Sequence, residues 1–446
     1  MALSSLNPPP PCSAAKRVSE VNADLPAAHW ATMCGLSALL LGAFLIEDLG
    51  QPLGAVLFAS VAGSAALFSV VLAGTQSRTA VTYTNVTRTS LDQQYQFNAA
   101  YAPDPNNPLN QIGFLDQTVY RCAESCADTT NGSQSCAQDI IGLHDTLNSR
   151  NNGSRQLWVS IQAKKKKLNR DLVGVASNNQ TMNSLFGVPL SGSLPIVKPA
   201  GFKGDTPVPS GGDIGPAASY GAQQIYMGQL IDFLRADDGT MRHKQRLGGI
   251  THATPQIQEQ APEGRVPLDS WNEFVRKEGP GGYSPGCRPT VLFTGTHDGL
   301  IHAFRVDRLK KLSGDCAEQA VPTVEDEDQG KELWSILPQH LLKQSHSLVS
   351  NSMSLMDGLP VVDDVLLLRS NPTVSDVAEE VGSWKSLLTT GYGKGGKGYI
   401  SIDVTHPLDI STVNVQWEID NEQRCVNGSC TSAKKGFESD FSKLGF

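Results

Sequence analysis

The sequence predicts a mainly β fold in which antiparallel, four-stranded sheets stack like propeller blades. A polar mixed region and N-terminal transmembrane helices precede them. Three observations carry this reading. Short apolar or alternating runs of strand length recur from about residue 290 onward, with turn residues between them. Asp-Gly pairs and a glycine-rich segment fall at the turns, where glycine reaches positive φ without steric cost. Tryptophans stand on following strands, and the spacing between motifs, though irregular, is near that of a propeller blade.

Composition agrees. The 446 residues include 42 Gly and 26 Pro, with 39% hydrophobic and 18% charged side chains. Such a chain can bury a large core, which excludes wholesale disorder, and it lacks the bias of a coiled coil. The net charge of −8 excludes a nucleic-acid-binding surface over the whole chain. The one basic run, Lys164 to Lys167, reads as a solvated loop.

The elements follow in chain order. Residues 1–26 form a cytoplasmic tail or leader, and 27–74 hold one or two membrane spans or a signal sequence. Two uncharged stretches, from about Ala27 to Ile46 and Leu53 to Gly74, are each close to the roughly 20 residues that cross a bilayer. Buried core helices are the alternative. Lys16 and Arg17 hold the tail in the cytoplasm, and a full hairpin would return the remainder there. The cysteines oppose that return. Seven of the nine lie after residue 100 in loop-like surroundings, namely Cys122, Cys126, Cys136, Cys287, Cys316, Cys425 and Cys430. Their spacing matches no zinc site, so disulfides in an oxidising compartment are the simplest reading. Cys425 and Cys430 bracket a short turn, and Cys287 and Cys316 flank a hairpin. Val71-Leu72-Ala73 offers small residues where a signal peptidase cuts. The expectation is export to the periplasm or cell surface, with membrane association.

Residues 75–210 are polar and loop-rich, and the sequence assigns them no fold. Within them Gln156 to Ile161 alternates as a half-buried strand, and Gln138 to Asn148 reads as one helix. The β region begins with residues 211–446. A helix over Ala222 to Arg235 comes first, from the spacing of Ile225, Leu230, Ile231 and Leu234. Val291 to Gly295 and Leu300 to Val306 flank Asp298-Gly299, the strongest short-range hairpin signal. Gly330 to Ile336 is a third strand whose Trp334 packs on that hairpin, and Val361 to Leu368 is a fourth. Trp384 to Thr390 and Gly398 to Val404 pair across a turn containing Gly391, Gly393, Gly395 and Gly396. Val413 to Ile419 follows. Asp357-Gly358 reads as a second tight turn.

Five segments in this order resemble the PilC/PilY family of type IV pilus biogenesis and tip-adhesin proteins. They are Phe233 to Asp237 with Arg246 to Pro255, then Thr294 to Phe304, then Glu332 to Pro338, then Met356 to Val365, and last Gly391 to Thr405, including Gly398 and Asp403. The resemblance covers roughly residues 225–446. It implies an incomplete β-propeller, since Glu438 to Phe446 resembles the middle of the family's domain. The family's calcium loop has no counterpart here, so no cofactor or metal is expected. Implied partners are pilin subunits or pilus assembly proteins, the membrane, and a surface or host receptor, but no nucleic acid.

Chemistry is weighed separately. Gly391 to Lys397 falls one residue short of a phosphate-binding loop, has Gly398 where a hydroxyl is needed, and lacks a following helix. His297, Asp298 and His302 raise acid–base work, but a turn and a packed strand face hold them. Glu325 to Asp328 reads as a solvated acidic loop. No catalytic residue is assigned, and the chain reads as a non-enzyme. The rival reading is a quinone-dependent propeller oxidoreductase, which shares the outline of Asp298-Gly299 followed by Gly330 to Trp334; an outer-membrane assembly propeller is the other alternative. Asp298, Gly299, His302, Trp334, Asp357, Gly358 and the glycines above are expected as turn and blade residues.

Overall fold

The computed structural model describes residues 77–83, 93–103, 111–121, 138–151, 154–172, 185–187, 219–237, 242, 245–280, 282–306, 329–349, 353–367 and 384–432. The expected membrane or signal segments at 27–74 lie outside the described residues, as do Cys122, Cys126, Cys136, Cys316, Glu325 to Asp328 and Glu438 to Phe446. Among the described residues, no helix is long and apolar enough to cross a membrane.

The chain is mainly β, as expected. Strands β1 (Ser77–Tyr83), β2 (Gln93–Pro103), β3 (Gln111–Arg121) and β4 (Gln138–Gly142) make an antiparallel sheet in that order. Helix α1 (Leu143–Asn148) follows, then β5 (Leu157–Ile161), β6 (Lys164–Lys167) and helix α2 (Ser219–Arg235). Next come β7 (Gln256–Gln258), α3 (Asp269–Arg276), β8 (Val291–Gly295), β9 (Ile301–Arg305), β10 (Glu332–Leu337) and α4 (Gln339–Gln344). The second sheet has the order β6-β5-β10-β9-β8-β7. The third sheet is an antiparallel meander of β11 (Val361–Leu366), β12 (Trp384–Gly391), β13 (Gly398–Asp403), β14 (Asn414–Asp420), β15 (Gln423–Val426) and β16 (Ser429–Ser432).

The expected four-stranded sheet needs correction. The second and third sheets each contain a four-stranded antiparallel meander, β7–β10 and β11–β14, and each gains two strands. In the second sheet those two are β5 and β6, with β5 parallel to β10. Residues before 210 therefore complete a sheet whose other strands come after it. The division expected at 210/211 is crossed by strand pairing and by core packing alike.

Why the strands form there follows from which faces are covered. β8 and β9 are buried at every position, the mark of a sheet covered on both sides. Val291, Phe293, Ile301 and Ala303 join one core with Leu388, Ile400, Ile402 and Val415 of the third sheet. Leu292, Phe304 and Val306 point the other way, into a core with Tyr95, Phe97, Leu115 and Val119 of the first sheet. The second sheet is thus packed between the other two. β12, by contrast, alternates buried and half-buried residues along its length, as a one-sided strand does.

The predicted hairpin has the predicted register, with Val291 opposite Arg305 and Gly295 opposite Ile301. Gly299 takes φ +93° in its turn, a region closed to most side chains. Trp334 is fully buried, its ring 5.8 Å from that of Phe293, and its Nε1–H donates to Pro407 O at 2.8 Å.

Two local expectations are corrected. Gln138 to Asn148 is not one helix: Gln138 to Gly142 pairs with β3, and the helix begins only at Leu143. Lys164 to Lys167 is not a loop but an edge strand on β5. Its ammonium groups stay in water except Lys165, which bonds the Val413 carbonyl at 2.6 Å and lies over Trp158. Of the expected disulfides, Cys425–Cys430 is formed across the β15–β16 turn, and Cys287 is also disulfide-bonded.

Candidate functional site: where the motif segments meet

Segments spread between Gly248 and Gly398 are laced one to the next by main-chain hydrogen bonds. His297 N–H donates to Gly249 O at 2.8 Å, and Leu355 N–H donates to His297 O at 2.7 Å. Asp357 N–H donates to Tyr392 O at 3.1 Å, and Tyr392 N–H to Gly398 O at 3.0 Å. The stretch Gly248 to His252, the turn Thr296 to Gly299, the stretch Leu355 to Gly358 and the loop Gly391 to Gly398 therefore form one layer. Leu337 of β10 packs against Gly299 beneath it.

Close backbone approach explains several small residues. A Cβ on Gly358 would sit 1.9 Å from Gly391 O, so a side chain there would force the two segments apart. Asp357-Gly358 thus serves as an inter-segment contact and does not join two paired strands. Gly391 ends β12, Gly393 to Gly395 make one 3-10 turn, and Gly396 and Gly398 lead into β13.

The solvent side of this layer carries one carboxylate. Asp357 Oδ1 accepts from the Thr251 hydroxyl, from His252 N–H at 3.2 Å and from His252 Nδ1 at 2.9 Å. Lys394 Nζ stands 3.8 Å from Oδ2. His252 and Lys394 are exposed, whereas the carboxylate itself is covered. Burial opposes the charge on Asp357, but the Thr251 and His252 hydrogen bonds outweigh it and hold its pKa below the ordinary carboxylate value.

Below lies a chain of buried polar groups. Arg155 grips Glu332 with both ends of its guanidinium, Nε to Oε2 and Nη2 to Oε1, each at 2.8 Å. Glu332 Oε1 is 2.8 Å from His302 Nδ1, and His302 Nε2 is 3.2 Å from the Thr296 hydroxyl. Thr296 donates to Asp298, whose other oxygen pairs with Arg242 Nη1 at 2.7 Å. Arg155 and Arg242 offset the two carboxylates, and a third guanidinium, Arg150, stands 3.8 Å from Glu332 Oε2. Both arginines also bond carbonyls at the end of α2, Arg155 to Arg235 O and Arg242 to Leu234 O, where the helix presents unsatisfied acceptors. Burial raises the cost of charging Asp298, but Arg242 more than compensates, with the histidines and Thr296 adding to it, and its pKa falls to about 2. Glu332 is driven below its usual range against the same burial, chiefly by Arg155. His297, buried and accepting from Gly249 N–H at 2.8 Å, falls from 6.5 to about 4 because burial disfavours its charged form.

The turn and blade residues named from sequence are thus partly gathered. Asp298, Gly299, Asp357, Gly358, Gly391, Gly393, Gly395, Gly396 and Gly398 share the layer, and His302 and Trp334 lie beneath it. Asp403 stands apart. It accepts from Thr405 and pairs with Lys385 at 3.2 Å, beside a cleft of about 540 Å³ lined by Trp384 and His406. Sequence reasoning missed Arg155, Arg242 and Thr251, whose partners are distant in the chain. It also missed Glu332. Strict alternation would set Glu332 on the Trp334 face, but a β-bulge between the two turns it toward His302.

The comparisons with known proteins bear on this site. No protein-family model and no solved structure matches the chain. A curated protein of Xylella fastidiosa (strain Temecula1 / ATCC 700964), called type IV pilus biogenesis factor PilY1 homolog, is 27% identical over 213 residues. That is 44% of this chain and 12% of that protein. A second PilY1 homolog of the same organism is 26% identical over 200 residues, 43% of this chain and 14% of its own length. The type IV pilus biogenesis factor PilY1 of Pseudomonas aeruginosa (strain UCBPP-PA14) is 23% identical over 199 residues, again 43% and 14%. The resemblance to the PilC/PilY family holds: this chain is similar to PilY1 proteins of two bacteria, and the match spans about an eighth of their length.

Three measurements test the site. Glu332→Ala leaves Arg155 and His302 buried without their shared carboxylate, and urea unfolding is expected to show a loss of about 3–5 kcal/mol. Gly358→Ala is expected to cost at least about 2 kcal/mol more than Gly264→Ala. Gly264 differs in kind: its backbone is at φ +70°, but nothing lies within 4 Å of its added Cβ, whereas the constraint at Gly358 is the close approach of Gly391 O. The third concerns pH. His297 binds its proton near 4 in the folded chain and near 6.5 unfolded, so protonation favours the unfolded state. His297 should contribute a fall of about 3 kcal/mol in stability as pH drops from 6.5 to 4, beside the loss from His406, whose pKa burial also lowers to about 4. His297→Asn should lessen the slope by the His297 share alone. Asp298 does not interfere, because its contribution is lost only as pH falls from 3.8 through about 2.

Proposed function

We propose that this chain serves type IV pilus biogenesis as an exported, non-enzymatic platform for protein–protein contact. The observation that carries the reading is its similarity to three proteins named for PilY1, at 23% to 27% identity. Two stacked four-stranded meanders, held by tryptophan and closed on glycine, support a blade arrangement of which this chain supplies neighbouring members. The partners are pilin subunits or pilus assembly proteins, and an adhesive role toward a surface or host receptor belongs to the same reading. Residues 27–74 would hold the protein at the membrane or direct its export.

A non-enzymatic role is supported by where the acid–base residues lie. His297, Asp298 and His302 are buried and committed to neighbours. Their geometry fixes the backbone of the layer and offers no substrate-facing proton donor. No cofactor is invoked.

Deletion of the gene is expected to reduce surface pili and twitching movement, and the full-length gene supplied in trans should restore both. Electron microscopy and a motility assay read the outcome. Normal piliation with normal motility in a clean deletion contradicts the assignment.

A further inference from the structure

The edges of the second and third sheets are guarded unequally. A free strand edge pairs readily with other chains, and proteins blunt it with charge, shortness or closure. β6 carries four lysines. β7 is only three residues long. β16 is a short polar strand tied back to β15 by Cys425–Cys430. β11 has no lysine, is not short and is not tied back, and of its two charges Asp364 is buried against Arg288. It runs six residues in unbroken register with β12, reads Val-Val-Asp-Asp-Val-Leu, and ends its sheet. Among the described residues, no backbone hydrogen bond crosses its outer edge.

The same edge concentrates exposed apolar surface. Leu359, Val361, Leu366 and Leu367 are 51%, 56%, 38% and 38% exposed. They make up four of the eight large exposed hydrophobic side chains among the described residues, so the exposure clusters at one edge of one sheet. Beside the edge runs a polar cleft of about 620 Å³ between β7 and β11, lined by Ile257, Gln258, Arg288 and Val362. Gln258 is 2% exposed, and its Oε1 has no hydrogen-bond partner among the described residues.

Charge chooses the occupant. Asp364 is buried and held by Arg288 at 2.9 Å, whereas Asp363 is half exposed, pairs with the exposed Arg265 at 2.9 Å and accepts from Asp364 N–H at 2.9 Å. A second copy pairing about a twofold through the middle of β11 would set Asp363 or Asp364 against its own counterpart, and like charges directly opposite are destabilising. We infer that β11 is a docking edge for an extended strand of a different protein, apolar at alternate positions and carrying a lysine or arginine opposite Asp363. Main-chain hydrogen bonds would supply affinity, and the Val361 and Asp363 positions would supply selectivity. This deepens the platform reading and rests on it for taking the partner to be a protein.

The test uses the full chain and a displayed library of short unstructured peptides. The selected peptides are expected to alternate apolar and polar residues around a basic one, and to slow hydrogen exchange at amides 361–366. Val361→Lys places a guard on the edge and should weaken their binding by about tenfold or more, with an unchanged unfolding midpoint. Asp363→Lys should shift selection toward acidic peptides. The inference is overturned if no peptide is enriched, if Val361→Lys binds them equally well, or if protection falls elsewhere. A concentration-dependent dimer that protects β11 overturns it too. Binding is read on the purified chain, whereas the pilus role is read by deletion, so the failure of either can be told from the failure of the other.

Discussion

One buried carboxylate holds distant parts of this chain in a single arrangement. Glu332 is reached by Arg155 from 177 residues away and by His302 from the neighbouring strand, and Arg155 reaches on to the end of α2. A charge removed from water must be paired or it destabilises the fold, so this geometry admits few alternatives. The β-bulge in β10 makes the arrangement possible, since it turns Glu332 away from the tryptophan-lined core and toward the imidazole. With β10 fixed, β5 can pair parallel to it, and the polar first half of the chain becomes part of the second sheet.

The layer above inherits its shape from this base. Thr296 and Asp298 continue the buried chain to Arg242, and the reciprocal bonds between His297 and Gly249 hold the Thr296 to Gly299 turn in place. From that turn, main-chain bonds pass to Leu355, and others link Asp357 to the loop at Tyr392. Residues shared with the PilC/PilY pattern are thus mostly packing residues. Their recurrence in one order along the chain reflects a contact layer, with only Asp357, His252 and Lys394 facing outward among the groups described above.

Much of the β architecture was legible in the sequence, for reasons that are local. The β8–β9 hairpin could be read because two apolar runs of strand length flank an Asp-Gly turn within a short stretch of chain, and β12 because its buried and half-buried residues alternate. Trp334 could be placed on the hairpin because a ring of that size must be covered. What escaped depended on distant partners. Lys164 to Lys167 looks like a loop by charge, yet it pairs with β5 because an edge strand can keep its ammonium groups in water. Gln138 to Asn148 has a continuous apolar pattern, and only pairing with β3 decides that its first half is extended. The Glu332 site was hidden by the bulge, which breaks the alternation from which faces are assigned. The parallel β5–β10 pair leaves no signal in either strand alone.

The central claim is that the motif segments form one cooperative layer. Native-state hydrogen exchange tests it most directly, through the amides of His297, Leu355 and Asp357, each of which donates to a different segment. The account predicts that all three exchange through the same opening, with the same free energy and the same denaturant dependence as the core amides of β9 and β10. Three separate openings of unequal free energy, each insensitive to denaturant, would contradict it.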